Sequence, residues 1–134
     1  MILSYTNIKM GSVFSSSAKR KEDIEMALTK VKEIVSSTTV VVFSKTYCGY
    51  CKRVKQLLTQ LGATNKVIEL DEERDGDDIQ SALLEWTGQR TVPNVFSGGK
   101  HIGGCDVVVE MYQAGRLLPL LTEVGAIAIN SAQL

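Results

Sequence analysis

Two cysteines three positions apart, Cys48 and Cys51, are the residues best suited to covalent chemistry in this sequence. They follow an apolar, β-branched run and precede a helical pattern. A cysteine at the start of a helix lies near unpaired backbone N–H groups, which stabilise a thiolate, and Lys45 adds positive charge nearby. We therefore expect Cys48 to be the nucleophile. Cys51, one helical turn later, would attack a mixed disulfide formed on Cys48.

Two other uses of a Cys-x-x-Cys pair fit the sequence less well. A structural zinc site takes about four ligands, and beyond the pair the chain offers only Cys105 and a single histidine, His101. A structural disulfide between Cys48 and Cys51 would close a very short loop, so it would remove little entropy from the unfolded chain. A labile redox pair is the better interpretation.

Apolar periodicity predicts the elements that position this pair. Steps of three and four residues predict helices, and short β-branched runs predict strands. Glycines placed after the last apolar residue of a helical stretch indicate where helices end. In chain order we predict a helix from Lys21 through Val35, a strand at 38–43, a helix stopped by Gly62, a strand at 66–70 and a helix stopped by Gly88. These are followed by hairpin strands at 93–96, opened by Pro93, and at 101–102, a helix stopped by Gly115, and a helical turn at 117–121.

This order predicts an α/β fold. The strand–helix–strand unit should cross over right-handedly and give a parallel pair, and the hairpin should complete a mixed sheet. The arrangement resembles the thioredoxin-like sandwich, a four-stranded mixed sheet flanked by helices, here with an extra N-terminal helix. We predict a flexible tail at 1–20, one domain at 21–122 and a C-terminal extension at 123–134. Met26, Met111 and Trp86 are expected to pack in the core.

The composition limits the classes of function. A chain of 134 residues, 44% of them hydrophobic, is long enough for one core. The 15 basic and 15 acidic side chains cancel, so we expect no nucleic acid partner. Three cysteines suit a reducing compartment better than a disulfide-stapled scaffold, and no apolar run approaches the length of a membrane helix. We expect a cytoplasmic location.

The first twenty residues contain a lipidation pattern that applies only if translation starts at Met10. They lack the features of a secretory signal, while their Ser-rich, acid-free composition also fits a short transit-like leader. If translation starts at Met10, Gly11 follows it in an N-myristoylation pattern. The basic cluster at 19–21 could supply the second signal that stable membrane attachment needs. We expect peripheral membrane association of that acylated form only, and a full-length form that is soluble.

Three segments, in the order in which they occur along the chain, resemble a dithiol glutaredoxin. They are KTYCGYC at 45–51, WTGQRTVPNVF at 86–96 and GGKHIGGCD at 98–106. The resemblance covers about residues 22–122 and is greatest to plant CGYC-type class I glutaredoxins. Thioredoxins usually carry Trp before the first cysteine and Gly-Pro inside the pair, whereas this chain has Tyr47 and Gly-Tyr.

The resemblance implies a groove for glutathione. Lys45 and Gln89 would reach the glycine carboxylate, while Cys105 and Asp106, at a helix start, would bind the γ-glutamyl group. Many members have a second polar residue after that aspartate, whereas this chain has Val107. The other implied contacts are Tyr50, the cis-proline segment Thr91-Val92-Pro93, whose Val92 backbone would pair with the cysteinyl part, and Gly104, which allows close backbone approach.

The resemblance also implies the activity. It is that of a glutathione-dependent thiol–disulfide oxidoreductase acting on glutathionylated or disulfide-bonded proteins, as a monomer without a cluster. The alternative is a [2Fe–2S] carrier or sensor, in which two subunits each supply Cys48 and one glutathione. Gly49 favours this alternative, because it lacks the proline ring common at that position and keeps a backbone N–H that could bond a sulfur atom.

Overall fold

The computed structural model describes residues 3–128, with side chains described from residue 18 onward. Within this range the chain forms five α-helices, four strands and one 3₁₀ turn. In order, these are α1 (Leu3–Ser37), β1 (Val40–Ser44), α2 (Gly49–Gln60), β2 (Lys66–Glu69), the 3₁₀ turn (Leu70–Glu72), α3 (Gly76–Thr87), β3 (Asn94–Ser97), β4 (Lys100–Gly103), α4 (Cys105–Gln113) and α5 (Leu117–Glu123).

The four strands form one mixed sheet in the order β2-β1-β3-β4. Strands β1 and β2 are parallel, with Val42 opposite Val67, and α2 is the crossover between them. Strands β1 and β3 are antiparallel, with Val42 opposite Val95, and β3 and β4 form the hairpin. The predicted four-stranded mixed sheet flanked by helices, the thioredoxin-like fold, is therefore confirmed.

The side chains of β1 divide the core between the two faces of the sheet. All five β1 residues are buried, and alternate residues point to opposite faces. Val41 and Phe43 belong to the cluster that packs against α1 and α3, while Val40 and Val42 belong to the cluster against α2, α4 and α5. This explains why the strand is a continuous apolar run rather than an alternating one. Its C-terminal end leads directly into the Cys48 segment.

Helix α1 begins at Leu3, well before the start at Lys21 that the periodicity predicts. The stretch before Lys21 contains no proline, so nothing prevents the backbone from continuing the helix toward the N-terminus. The backbone over residues 3–20 thus differs from the predicted tail, while the division into tail, domain and extension stays a prediction. In the described part of the chain, no helix combines the length and apolarity needed to cross a membrane.

Helix α1 docks through apolar side chains rather than charges. Ala27, Val31 and Val35 are buried in the cluster that α1 forms with α3 and one face of the sheet. The ion pair between Lys30 and Asp75 spans 3.0 Å but is partly exposed, and such pairs contribute at most about 1 kcal/mol. Burying one aliphatic side chain contributes roughly 1.5–3 kcal/mol, so the apolar contacts dominate.

Two predicted core residues are exposed. Met26 lies on the outer face of α1 with 71% of its surface exposed. Trp86 is 36% exposed, because it lies at the edge of the core, stacked on Phe96 at 5.2 Å with Lys32 over its outer face. Met111 is half-buried and packs against the core as predicted.

The segment after α5 folds back onto the domain. Ala126 is buried, and its carbonyl accepts hydrogen bonds from the Thr64 backbone N–H at 2.8 Å and from the Thr64 hydroxyl at 3.2 Å. The first residues of the predicted C-terminal extension are therefore held against the core. Residues 129–134 of that extension lie outside the described residues, as do residues 1 and 2 of the predicted tail.

Candidate active site

Cys48 is the N-cap residue of α2. Its backbone is extended, with φ −89° and ψ 120°, and its carbonyl accepts from the Lys52 N–H at 3.1 Å, as the first hydrogen bond of the helix. Its Sγ accepts a hydrogen bond from the Cys51 N–H at 3.3 Å. An N-cap side chain normally presents an oxygen to these unpaired N–H groups. Here a sulfur atom occupies that position, which favours its anionic form.

The pKa of the Cys48 thiol is lowered although burial acts against ionisation. Hydrogen bonds from the Cys51 thiol, the Cys51 N–H and the Tyr50 N–H outweigh the loss of solvent, and the charge of Lys55 adds to them. The sequence predicts Lys45 as the cation beside Cys48, whereas the cation that lowers the pKa of Cys48 here is Lys55, which lies on α2 itself. The helix start predicted from the sequence therefore does favour a thiolate at Cys48.

Cys51 has the opposite environment. It is fully buried, and burial together with its hydrogen bond to Cys48 raises the pKa of Cys51 to about 11. A thiol held in its protonated form donates to the neighbouring thiolate and is a poor nucleophile itself. The two cysteines thus have the distinct roles expected of an attacking and a resolving thiol.

Two side chains that the sequence analysis does not single out, Asp71 and Lys55, hold the start of α2 and the residues before it. Asp71, in the 3₁₀ turn, accepts hydrogen bonds from the Thr46 N–H, at 3.0 Å, and from the Thr46 hydroxyl. These bonds lower the pKa of Asp71. Lys55 forms a partly buried ion pair with Glu69 of β2 at 2.8 Å. Asp71 lies in an acidic stretch whose composition suggests only solvent exposure, so no local pattern could have identified it.

Gly76 fixes the turn that carries Asp71. A Cβ at Gly76 would lie 1.9 Å from the carbonyl oxygen of Leu70, a distance that no packing can accommodate. The glycine therefore allows α3 to start directly against the 3₁₀ turn. This close approach holds Asp71 beside Thr46, two residues before Cys48.

The Val92–Pro93 peptide bond is cis, as predicted. The carbonyl oxygen of Val92 lies 3.8 Å from Cys48 Sγ. The segment that precedes β3 and the start of α2 therefore meet at the nucleophile, although 44 residues separate them in the chain.

A groove of about 520 Å³ is bounded by this segment and the start of α4. Eight of the nine residues expected to contact glutathione line it, and Lys45, half-buried in the turn before Cys48, does not. No cation is among the lining residues, while Val107 is one of them. The predicted lining residues are Tyr50, Gln89, Thr91, Val92, Pro93, Gly104, Cys105 and Asp106.

Three lining residues differ in detail from the sequence expectation. Gln89 donates both its amide hydrogens to the carbonyls of Thr91 and Pro93, each at 3.1 Å, so in this structure it braces the groove wall. Gly104 has an ordinary φ of −94°, and a Cβ there would meet its neighbours only at 3.5 Å or more. Cys105 is buried, and burial raises the pKa of its thiol.

The chain matches known proteins over this region. The family model "Glutaredoxin" matches residues 40–102. Glutaredoxin-C1 of Arabidopsis thaliana is 69% identical over 125 residues, which are 93% of this chain and 100% of that protein.

Solved structures agree with the sequence match. The crystal structure of the buckwheat glutaredoxin–glutathione complex shares 66% identity with a TM-score of 0.79, covering 80% of this chain and 97% of that one. The holo form of glutaredoxin C1 from Populus tremula x tremuloides shares 67% identity with a TM-score of 0.73, covering 75% and 99%. Identity at this level over a relative's entire length establishes that the chain belongs to the glutaredoxin family of thiol–disulfide oxidoreductases.

Proposed function

We propose that this protein reduces protein–glutathione mixed disulfides, and protein disulfides, with glutathione as the reductant. The observation that carries the proposal is the position of Cys48: a thiol with a lowered pKa lies 3.8 Å from the Val92 carbonyl, and Val92 lines a groove beside it. A relative with 66% identity has been crystallised as a glutathione complex.

The reaction consists of two thiol–disulfide exchanges. The Cys48 thiolate attacks the glutathione sulfur of the mixed disulfide, and the protein thiolate leaves and takes up a proton. Cys48 then carries the glutathionyl group. The thiolate of a second glutathione attacks the glutathionyl sulfur, which forms glutathione disulfide and returns Cys48 as a thiolate. The second glutathione is the reductant, and it leaves joined to the glutathionyl group of the substrate as glutathione disulfide.

Cys51 is required only for a protein disulfide. Attack by Cys48 then releases one substrate thiolate and leaves the other substrate sulfur bound to Cys48. Cys51 releases the substrate by attacking Cys48 Sγ, which forms a Cys48–Cys51 disulfide, and two glutathione molecules reduce that disulfide and leave as glutathione disulfide. Because the pKa of Cys51 is about 11, its proton must be lost during that attack, and the departing substrate thiolate can accept it. A high pKa also keeps Cys51 from competing with glutathione in the simpler reaction.

The groove is the element that selects glutathione. In the proposed complex the backbone at Val92 pairs with the cysteinyl part of the ligand. The γ-glutamyl group lies at the start of α4, where backbone N–H groups bind its carboxylate and Asp106 binds its amine. Tyr50 covers the bound ligand from the side of α2.

Selectivity for the glutathionyl group tests the proposal. We expect the protein to reduce a glutathionylated peptide much faster than the same peptide carrying a 2-mercaptoethanol mixed disulfide, because only the first fills the groove. The measurement is kcat/KM for each peptide at a fixed glutathione concentration. Equal values for the two peptides would show that the groove does not recognise glutathione.

A second proposed function is the binding of a [2Fe–2S] cluster between two copies of the chain. Of the three cysteines only Cys48 is partly exposed, and the described residues contain no cluster of three or more metal-binding side chains. One copy therefore fits such a cluster as a single thiolate ligand, and glutathione and a second copy would complete the set. The cluster would supply one-electron chemistry or a cargo of iron and sulfide.

Gly49 is the residue that favours this second function. It is exposed, its φ is not positive, and a Cβ there would meet no atom within 4 Å. Neither packing nor backbone conformation therefore requires glycine at this position, which leaves it available for the role in cluster binding proposed here.

Gly49→Pro is expected to separate the two functions. Proline is well tolerated at the first position of a helix, which Gly49 occupies in α2, so deglutathionylation should persist while cluster binding is lost. Iron content and gel filtration after anaerobic reconstitution with glutathione provide the measurement, with Gly49→Ala as the control that keeps the backbone N–H. A wild-type protein that stays iron-free under these conditions would exclude the cluster.

We also propose a cytoplasmic location for the full-length protein and membrane association only for a Met10-start form acylated on Gly11. Both proposals rest on the sequence alone. The mass of the native amino terminus distinguishes them, because an acylated Gly11 and an intact Met1 give different terminal peptides.

A further inference from the structure

Side-chain carboxamides hold the backbone of residues 89–93, the segment that forms one wall of the groove. Gln80 of α3 donates from Nε2 to the carbonyl of Arg90 at 2.8 Å. Gln89 donates from Nε2 to the carbonyls of Thr91 and Pro93. Two amide groups thereby hold three backbone carbonyls of the segment.

Asn94, the first residue of β3, adds a third carboxamide. It is fully buried, and its Nδ2 donates to the carbonyl of Gln89 at 3.4 Å. Its Oδ1 lies 2.8 Å from Nε2 of His101 on β4. Since that oxygen can only accept, His101 Nε2 must carry a hydrogen. Burial lowers the pKa of His101, so the ring donates as the neutral Nε2–H form near neutral pH.

The carbonyl of Val92 has a different partner from the carbonyls of its neighbours. In the segment 89–93 the carbonyls of four residues are bonded to carboxamides, while the Val92 carbonyl instead faces Cys48 Sγ. The network thus satisfies the backbone around Val92 and leaves Val92 directed into the site. This arrangement is what a ligand that pairs with the Val92 backbone requires.

Neither Gln80 nor Asn94 lines the groove. Gln80 is only 8% exposed and Asn94 is not exposed at all. A buried carboxamide is costly unless its hydrogen bonds are made, and an apolar side chain at either place would pack without that cost. Polar side chains at these positions therefore serve to fix the conformation of the segment rather than to strengthen the core.

We propose that Gln80 and Asn94 are positioning residues that set the affinity of the groove for the glutathionyl group without touching it. The proposal rests on the proposed function and deepens it. Loss of either carboxamide frees a carbonyl of the segment, so the Val92 backbone is no longer held in the geometry that binds the ligand. The thiolate at Cys48 is unaffected, because it is stabilised by α2 and not by this network.

The test uses Gln80→Leu and Asn94→Ala in the full-length protein. For the glutathionylated peptide we expect each variant to raise KM about tenfold, as loss of roughly one buried hydrogen bond predicts, with kcat nearly unchanged. For the peptide with the 2-mercaptoethanol mixed disulfide we expect no change in kcat/KM. Ser97→Ala is the matched control, because Ser97 is buried in the same strand as Asn94 and its hydroxyl has no partner among the described residues.

An equal fall in kcat/KM for both peptides would overturn the proposal, since it would show a general loss of structure. An unchanged KM for the glutathionylated peptide in Gln80→Leu would also overturn it, and this variant decides the question if Asn94→Ala fails to fold. The proposed function itself is judged on the wild type: if wild-type protein does not prefer the glutathionylated peptide, that function fails whatever the variants do.

Discussion

Replacing Cys48 with serine should reduce deglutathionylation of a peptide to the uncatalysed rate, whereas Cys51→Ser should retain most of the activity. A serine hydroxyl at the start of α2 does not ionise near neutral pH, so the first exchange cannot occur. At position 51 the backbone N–H that bonds Cys48 Sγ remains, and a serine hydroxyl can donate to Cys48 as the thiol does. Initial rates with a glutathionylated peptide provide the measurement.

Cys105→Ser is the matched control for this pair. Cys105 lines the groove, but its thiol is buried with a raised pKa, and serine keeps the backbone N–H at the start of α4, so we expect the rate to stay nearly unchanged. Equal losses in Cys48→Ser and Cys51→Ser would contradict the assignment of roles. With a protein disulfide as substrate the expectation changes, because Cys51→Ser should then accumulate the substrate bound to Cys48.

The second large effect is expected in the pH dependence of alkylation. Cys48 should react with iodoacetamide at least about a hundredfold faster than Cys51 at neutral pH, because the thiolate fraction changes tenfold for each unit of pKa. The pKa of Cys48 lies below the ordinary 9.0 and that of Cys51 is about 11. As pH rises, the Cys48 rate should reach its plateau first, and Cys51 should still be increasing above pH 9.

Peptide mapping of the alkylated protein assigns each rate to one cysteine. In urea-unfolded protein the three cysteines should react at similar rates, because the helix start and the burial that separate their pKa values are gone. A Cys48 rate that rises only above pH 9 would show that α2 does not stabilise its thiolate.

Local sequence patterns predicted much of the fold and of the reactive centre. The apolar run of β1, the helical face after Cys51 and the glycine after α3 are features of neighbouring residues, and the structure confirms the elements they indicate. The cis bond before Pro93 and the groove lining came instead from the resemblance to a known family. That resemblance also predicted contacts with glutathione, which stay predictions.

Pairings between distant residues could not be predicted. Asp71 accepts a hydrogen bond from Thr46, which lies 25 positions earlier in the chain. Gln80 donates to the carbonyl of Arg90, ten positions later, and the sequence does not specify the backbone geometry between them. Trp86 lies on an apolar helical face, yet its exposure is decided by how α3 is placed on the edge of the core. The start of α1 was missed because apolar periodicity reports packing, whereas a helix can continue beyond the part that packs.

The most direct test of the central claim is to trap the first intermediate. Cys51→Ser protein, fully reduced and free of glutathione, is mixed with a glutathionylated peptide and analysed by mass spectrometry with peptide mapping. The account predicts one glutathionyl group on Cys48 and one equivalent of peptide released as the free thiol. A glutathionyl group found on Cys105, or peptide rather than glutathione bound to Cys48, would contradict it.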